Sequence, residues 1–416
     1  MKVLERPTAV ATNPEPDGRD PRSPIRSAFL ERLVDEIGFG RDDAHRCVMI
    51  AHLFDDTFRM LAALEPLTVW DAVIGIPYSS RRPGVEAKWR ARFGDRLHLP
   101  EDLGALEETV VAALSRSMTV CASRGQKLIV QDVGGFAAPI LQTYFADRLH
   151  LVEGVVEITK QGVWRAEALP LGFPVVHCAD SELKRLEAVR CGETVARCLD
   201  GVARRRGVTL AGRSALVMGA GWIGAAVARH LRRLDMTPTL IDVDPLKVME
   251  ARLAGFAAST SLRDHARAEL VVGATGRLSI TRALMETLPD GAMVASASSR
   301  QIEIDVDWLR SRSTTRVDEG VELCRIDDGA APPRRLLLIN GGFPANFLPG
   351  SESVADEMVE CILGELIVLQ QDLASGRFRP GLHRIRPDQE TAVAQLWINQ
   401  RDAPFAPCGD AKSVSV

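Results

Sequence analysis

Ser214-Ala-Leu-Val-Met218, Gly219-Ala-Gly-Trp-Ile-Gly224, Ala225 to Leu234 and Pro238-Thr-Leu-Ile-Asp242 follow one another in this 416-residue chain. A short apolar run, a glycine turn, an amphipathic stretch and a second apolar run read as strand, turn, helix and strand. In such a turn the first glycine permits the tight bend, the second lets another group approach the backbone, and the third lets the helix pack on the strand. A purely structural turn would use the same glycines, but it gives no reason for the acid that ends the second strand. Further buried strands are expected at 270–273, 291–296 and 335–340, alternating with helical segments, as a doubly wound parallel sheet requires.

Outward from that core, 68–76 and 127–132 read as buried parallel strands, separated by helical stretches such as 103–124. A strand at 171–177 leads into a long helix at 181–206. From Ser27 to Leu64 the apolar residues Phe29, Leu33, Ile37, Val48, Ile50, Leu53 and Phe54 recur at helical spacing, so helices are expected there. Another apolar-patterned helix, 354–373, is expected to return to the first domain. The fold class is therefore α/β, with a Rossmann-type doubly wound parallel-sheet domain inserted in a second α/β substrate domain. The divisions are a disordered arm at 1–25, rich in Pro and polar residues, and the first part of the substrate domain at 26–205. The dinucleotide domain at 206–340, a return to the substrate domain at 341–400 and a loose tail at 401–416 follow.

Composition excludes several classes. With 46% hydrophobic and 25% charged residues the chain is globular, and it has no apolar run near the roughly 20 residues a membrane span needs. The N-terminus has no secretory apolar stretch, so a cytoplasmic protein is expected. A net charge of −4 with interspersed signs gives no reason to expect nucleic acid. The 8 cysteines form no Cys-x-x-Cys pair, which argues against zinc and against a disulfide framework.

The glycine turn defines the first candidate site. Gly219, Gly221, Trp222, Ile223 and Gly224 would cradle a pyrophosphate at the helix start, and Asp242 would accept from adenosine ribose hydroxyls. That carboxylate repels a 2′-phosphate, so NAD is expected rather than NADP. Asp244 is the alternative acid. Thr275 and Gly276, after the strand 270–273, complete the cofactor contacts on this domain.

From about Lys127 to Leu396 the sequence also resembles the S-adenosylhomocysteine hydrolase family, whose substrate domain is split by an inserted NAD-binding domain. The resemblance rests on Asp132-Val-Gly-Gly135, Gly154-Val-Val-Glu-Ile-Thr-Lys-Gln-Gly-Val163, Phe173-Pro174, Asp180-Ser181 with Lys184, the glycine turn, Gln301-Ile-Glu-Ile-Asp305, Asn340 and Gly381-Leu-His383. It implies that NAD oxidises a ribose hydroxyl, a thiol is eliminated, water adds, and NADH restores the alcohol. It also implies cofactor contacts at Thr159 and Asn340, and a catalytic group of Lys184 with Asp180 and Glu187. Asp132, Ser299 and Asn346 are implied substrate contacts, and the assembly is implied to be a homodimer or homotetramer. A lysine beside a cationic nicotinamide has a lowered pKa and can accept the hydroxyl proton as hydride leaves.

The chain departs from the family's elimination machinery. Val133 replaces a second acid, Ile158 the second of two glutamates, and Ala188-Val189 an aspartate-asparagine pair. Ser299 stands for a histidine, Gly341-Gly-Phe-Pro-Ala-Asn-Phe347 for a Gly-His-Pro loop, and no terminal Lys/Tyr pair is present. Val and Ile cannot move protons, so a small polar substrate other than S-adenosylhomocysteine is expected. The competing expectations are a non-catalytic NAD-binding regulator and a dehydrogenase that releases NADH.

Other groups have two readings each. His52, Asp55 and Asp56 form either a metal or proton-transfer site or an acidic surface helix. Arg81 and Arg82, after a buried strand, either hold a substrate carboxylate or phosphate or make an exposed basic turn. His177 and Cys178 are expected to be packed.

Overall fold

The computed structural model describes residues 27–80, 83–262, 267–327, 333–348, 354 and 356–401. The expected N-terminal arm, Arg81, Arg82 and residues 402–416 lie outside the described residues. The chain opens with strands β1 (His45–Ala51), β2 (Val69–Gly75), β3 (Leu97–His98), β4 (Lys127–Asp132), β5 (Val152–Glu157) and β6 (Pro174–His177). It continues through β7 (Ser214–Met218), β8 (Thr237–Ile241), β9 (Ala257–Ser259), β10 (Leu270–Gly273) and β11 (Ala292–Ser296). Then come β12 (Ser313–Asp318), β13 (Val321–Ile326), β14 (Arg334–Ile339) and β15 (Gly381–Arg384).

Two sheets result. The first is parallel throughout, in the order β15-β6-β5-β4-β1-β2-β3. The second has the order β12-β13-β14-β11-β10-β7-β8-β9, parallel from β9 to β14, with β13 and β12 added antiparallel at the edge. Without that hairpin, the order is that of the Rossmann doubly wound sheet. In each sheet the winding reverses once, between β1 and β4 in the first and between β7 and β10 in the second. Ligand crevices open at the carboxyl ends of strands at such points.

β1 corrects one expectation. Residues 45–51 were expected to lie in a helical region, but they form the middle strand of the first sheet. Cys47, Val48, Met49, Ile50 and Ala51 are all buried, because both faces of a central parallel strand are covered. Such a continuous apolar run carries no period-2 signal, and periodicity alone does not separate it from a buried helix. His52 thus leaves the end of a central strand and shares no helix with Asp55 and Asp56, which begin the helix Asp55–Leu64.

The helix Glu182–Arg205 joins the two halves. It is capped by Ser181, whose Oγ accepts from the Lys184 backbone N–H at 2.9 Å. It packs on the helix Trp222–Arg233 of the second sheet, where a side chain on Gly192 would lie 2.5 Å from Ala226 Cβ. The helix Asp356–Ala374 lies against the first sheet, on the helices Ala28–Glu36, Asp55–Leu64 and Glu182–Arg205.

The glycine turn after β7 shows why three glycines stand there. Gly219 has φ +101°, and a Cβ on it would meet the Ala274 carbonyl oxygen at 2.6 Å. A Cβ on Gly224 would sit 1.9 Å from the Gly219 carbonyl oxygen, whereas one on Gly221 meets nothing within 4 Å. Gly224→Ala should therefore cost about 1–3 kcal/mol of stability through overpacking. Gly221→Ala should stay within about 0.5 kcal/mol yet weaken dinucleotide binding. Melting curves and NAD titrations of both variants check this contrast.

Candidate active site

In the second sheet the crevice lies between Gly219 and Thr275. Gly221 precedes the helix Trp222–Arg233 with no side-chain cap, so the first amides of that helix point outward. Trp222 is 41% exposed at the lip, while Ile223 packs into the core behind it. Asp242 is almost buried and turned onto the glycine turn. Its Oδ2 accepts from the Ala220 N–H at 2.7 Å and its Oδ1 from the Asp244 N–H at 2.9 Å. Asp244 instead caps the helix Pro245–Leu253, accepting from the Leu246 N–H at 2.9 Å, so Asp242 is the acid that faces the crevice. Open space at Gly221, free helix amides and a carboxylate at the end of β8 together fit a dinucleotide.

The opposite lip is organised by Glu303, which is fully buried. It accepts from the backbone N–H groups of Thr275 at 2.6 Å and Gly276 at 2.5 Å, and from the hydroxyls of Thr275 and Ser298 at 2.8 and 2.5 Å. Ser279 donates to it as well. Sequence reasoning named Glu303 only as part of a run. Three hydroxyl residues and a glycine around an acid at a strand end were the available signal.

In the first sheet the crevice is bounded by the ends of β1, β4 and β5. Glu157, 1% exposed, gathers the Gly134, Gly135, Ile158 and Thr159 N–H groups and the Thr159 hydroxyl at 2.7–3.2 Å. Thr159 also caps the next helix, accepting from the Gly162 N–H at 3.0 Å, so its hydroxyl is spent within this hub. Asp132 is buried beside it, with Oδ2 accepting from the Ala137 N–H at 2.6 Å and Oδ1 without a partner. Burial, and for Glu157 the neighbouring Asp132, hold both carboxyls above the ordinary carboxylate range.

Arg300 reaches into this crevice from the other domain. It has φ +72°, is 7% exposed, lies 3.9 Å from the Phe136 ring centroid, and donates from Nη2 to the Gly134 carbonyl at 2.6 Å. Burial draws its guanidinium down to about 10. A second strut joins the halves nearby, where Gln161 Nε2 donates to the Gly276 carbonyl at 2.7 Å. Ser299 is half-buried beside Arg300.

Lys184 pairs with Glu187 at 3.0 Å. Burial pulls its ammonium down, but its neighbours, Glu187 first among them, more than offset that, and the group stands above the ordinary lysine range. The lowered value expected of a lysine here is thus corrected: an acid one turn along the helix holds the proton. His52, beside Lys184, is drawn down to about 3 by burial first and the ammonium second. Its Nδ1 meets Ser79 Oγ at 2.6 Å, and its ring lies 4.8 Å from that of Phe347, while Phe343 stacks on Tyr78 at 4.8 Å. The turn Ala345–Phe347, with buried Asn346, packs on the Lys184 helix. Asn340, at φ +50°, donates from Nδ2 to the Pro344 carbonyl at 2.7 Å and so shapes this turn.

Two expected groupings do not form. Asp180 pairs with Lys160 at the rim instead of joining Lys184, because it precedes the helix cap and its side chain leaves on the solvent side. Asp55 pairs with Lys88 at 2.6 Å and Asp56 turns onto Thr57, so neither acid joins His52. Among the described residues no cluster of three or more His, Cys, Asp or Glu is arranged to hold a metal ion. No described helix is long and apolar enough to cross a membrane.

Behind Lys184 lies Glu365, fully buried in the helix Asp356–Ala374, with Oε2 accepting from Ser181 Oγ at 2.8 Å and Oε1 without a partner. A lone acid in an apolar helical run was its sequence signal. Burial raises Glu365 from its ordinary 4.5 to about 8. Between those values the folded protein holds a proton that the unfolded chain has lost, so this group's contribution to stability falls as pH rises across the window, by up to ~5 kcal/mol. Melting temperature measured against pH should fall less steeply from pH 5 to 8 in Glu365→Gln than in the wild type.

The family model for the S-adenosyl-L-homocysteine hydrolase NAD binding domain matches residues 191–343. An S-inosyl-L-homocysteine hydrolase of Methanopyrus kandleri is 30% identical over 396 residues, covering 92% of this chain and 90% of that protein. An adenosylhomocysteinase of Aeropyrum pernix is 29% identical over 289 residues, 67% of this chain and 68% of its own length. An uncharacterized protein of Mycobacterium tuberculosis is 29% identical over 339 residues, 76% of this chain and 62% of its own. The chain belongs to the S-adenosylhomocysteine hydrolase family, with NAD as its cofactor on the domain built around β7 to β14.

Proposed function

We propose that the protein is an NAD-dependent, redox-assisted lyase or oxidoreductase that acts on a small polar substrate other than S-adenosylhomocysteine, with S-inosyl-L-homocysteine as the first candidate. The observation that carries this reading is the meeting of Lys184, Glu187 and His52 with the turn Ala345–Phe347 that follows the NAD-binding domain. Bound NAD would supply the hydride acceptor. Lys184 Nζ takes the hydroxyl proton as the carbon is oxidised, and Glu187 holds and orients that amine. A cationic nicotinamide opposes the ammonium, which favours the neutral amine when substrate is bound. Asp132, buried with one oxygen unsatisfied, belongs to the substrate side of the cleft. Thr159, Thr275 and Gly276 serve the cofactor through the turns they shape, and Asn346 and Ser299 line the substrate side. Val133 and Ile158 offer no polar atom beyond the backbone, so neither side chain takes part in proton transfer.

A second reading, an NAD-binding regulator without turnover, is favoured by one observation. Phe343 and Phe347 stack on Tyr78 and His52 and fill space next to Lys184. One experiment separates the two. Purified protein with NAD is offered S-inosyl-L-homocysteine, S-adenosyl-L-homocysteine and simple alcohols while NADH absorbance and free thiol are followed. Turnover of the inosyl compound with little NADH released supports the lyase. Steady NADH release marks a plain dehydrogenase, and no turnover of any compound by NAD-loaded protein supports the regulator. Lys184→Ala should lower turnover by about 10²–10⁴-fold while melting at the wild-type temperature. An active Lys184→Ala protein would remove the lysine from the mechanism.

A further inference from the structure

Two buried side chains at the cleft are left incomplete. Asp132 Oδ1 and Arg300 Nε have no hydrogen-bond partner, although their residues are only 2% and 7% exposed. They act on each other electrostatically without a bond between them. Both border the Gly134 turn, where a Cβ would lie 3.7 Å from Arg300 Nε. Leaving either atom unsatisfied is costly, and an Arg backbone at φ +72° adds strain of the kind that persists at ligand sites.

We propose that Arg300 is a specificity-determining residue, and that one neutral hydroxyl of the substrate sits between it and Asp132, accepting from Arg300 Nε–H and donating to Asp132 Oδ1. A hydroxyl is the simplest group with both capacities on one atom. A carboxylate or phosphate fits poorly. The Nε and Nη2 edge that grips such anions in bidentate fashion already has Nη2 committed to the Gly134 carbonyl, and the adjacent Asp132 repels negative charge. The phenol of Tyr78 acts on Arg300 electrostatically, and the guanidinium lies 3.9 Å from the centroid of the Phe136 ring. Sequence reading passed over Arg300 because its neighbour Ser299 occupies the motif position, and the positive φ is what turns Arg300 into the cleft.

This inference rests on the proposed function and names a contact within that site. The NAD-loaded full chain is titrated calorimetrically with inosine and with its 2′-, 3′- and 5′-deoxy counterparts. One deoxy compound should bind the wild type about 10-fold or more weakly than inosine, as loss of a bond to a charged partner predicts. Arg300→Met should bind that compound and inosine alike, and Arg300→Lys should keep part of the difference. A difference that survives intact in Arg300→Met, or equal weakening of all four compounds by Arg300→Met with none distinguished by the wild type, overturns the assignment. Should none of the four bind the NAD-loaded wild type, the nucleoside part of the proposed function fails. The hydroxyl seat is then decided by crystals soaked in ethylene glycol. A glycol oxygen bridging Arg300 Nε and Asp132 Oδ1 supports it, and a direct ion pair between the two side chains overturns it.

Discussion

The cleft depends on two buried carboxylates, one beneath the carboxyl edge of each sheet. Glu157 collects four backbone N–H groups and one hydroxyl, and Glu303 collects two backbone N–H groups and three hydroxyls. Burying a carboxyl is costly unless such donors surround it, and the same donors, once gathered, cannot drift. The turns thus fixed, Gly134-Gly135 and Thr275-Gly276, are the ones that touch across the cleft through Arg300 and Gln161. Closure is tight enough that a side chain on Gly276 would lie 2.5 Å from Gln161 Nε2 and 2.8 Å from the Trp164 ring. The two domains therefore meet through turns whose shape is set from below, and the site inherits its geometry from that support.

The return of the chain completes the arrangement. The helix Asp356–Ala374 inserts polar groups into the floor of the first sheet, where Gln370 bonds Gln131 and Thr68. It also places Glu365 under the cap of the Lys184 helix. Each contact joins residues far apart in sequence, so the first domain is finished only after the NAD-binding domain has been made. Lys184 is thus oriented from three elements: its own helix through Glu187, the cap Ser181, and the returning helix.

Much of the frame was legible because it obeys local rules. The glycine turn with its terminal acid, and the strands Ser214–Met218, Leu270–Gly273 and Lys127–Asp132, were readable to the residue, since each is a short apolar run closed by turn residues. β1 was not, because a strand covered on both faces has lost its alternation. The hairpin of β12 and β13 also escaped. Its outer strand, Ser313–Asp318, has no buried residue, and its ladder comes from pairing with a neighbour, not from its own pattern. In the site, Lys184, Glu187, Asp132 and Asp242 could be found from motif positions. Arg300 and Glu365 could not, because one depends on a backbone dihedral and the other on a helix that packs 181 residues downstream of Lys184.

The electrostatics of the cleft follow from crowding charged groups where water is scarce. Burial, with the Lys184 ammonium added to it, keeps His52 neutral down to about pH 3, so across the ordinary range the ring is a hydrogen-bonding surface and not a cation. Burial works against the Lys184 proton, and Glu187 at 3.0 Å leads the interactions that hold it. In the proposed reaction a positive nicotinamide against this pair would compete for the same carboxylate and work with burial against the ammonium. Among the groups facing Lys184, burial holds Glu365, Cys178 and Cys191 toward their protonated forms, so they offer little negative charge to resist. Under the proposed function, arrival of the oxidised cofactor, and not a change of pH, would free the base.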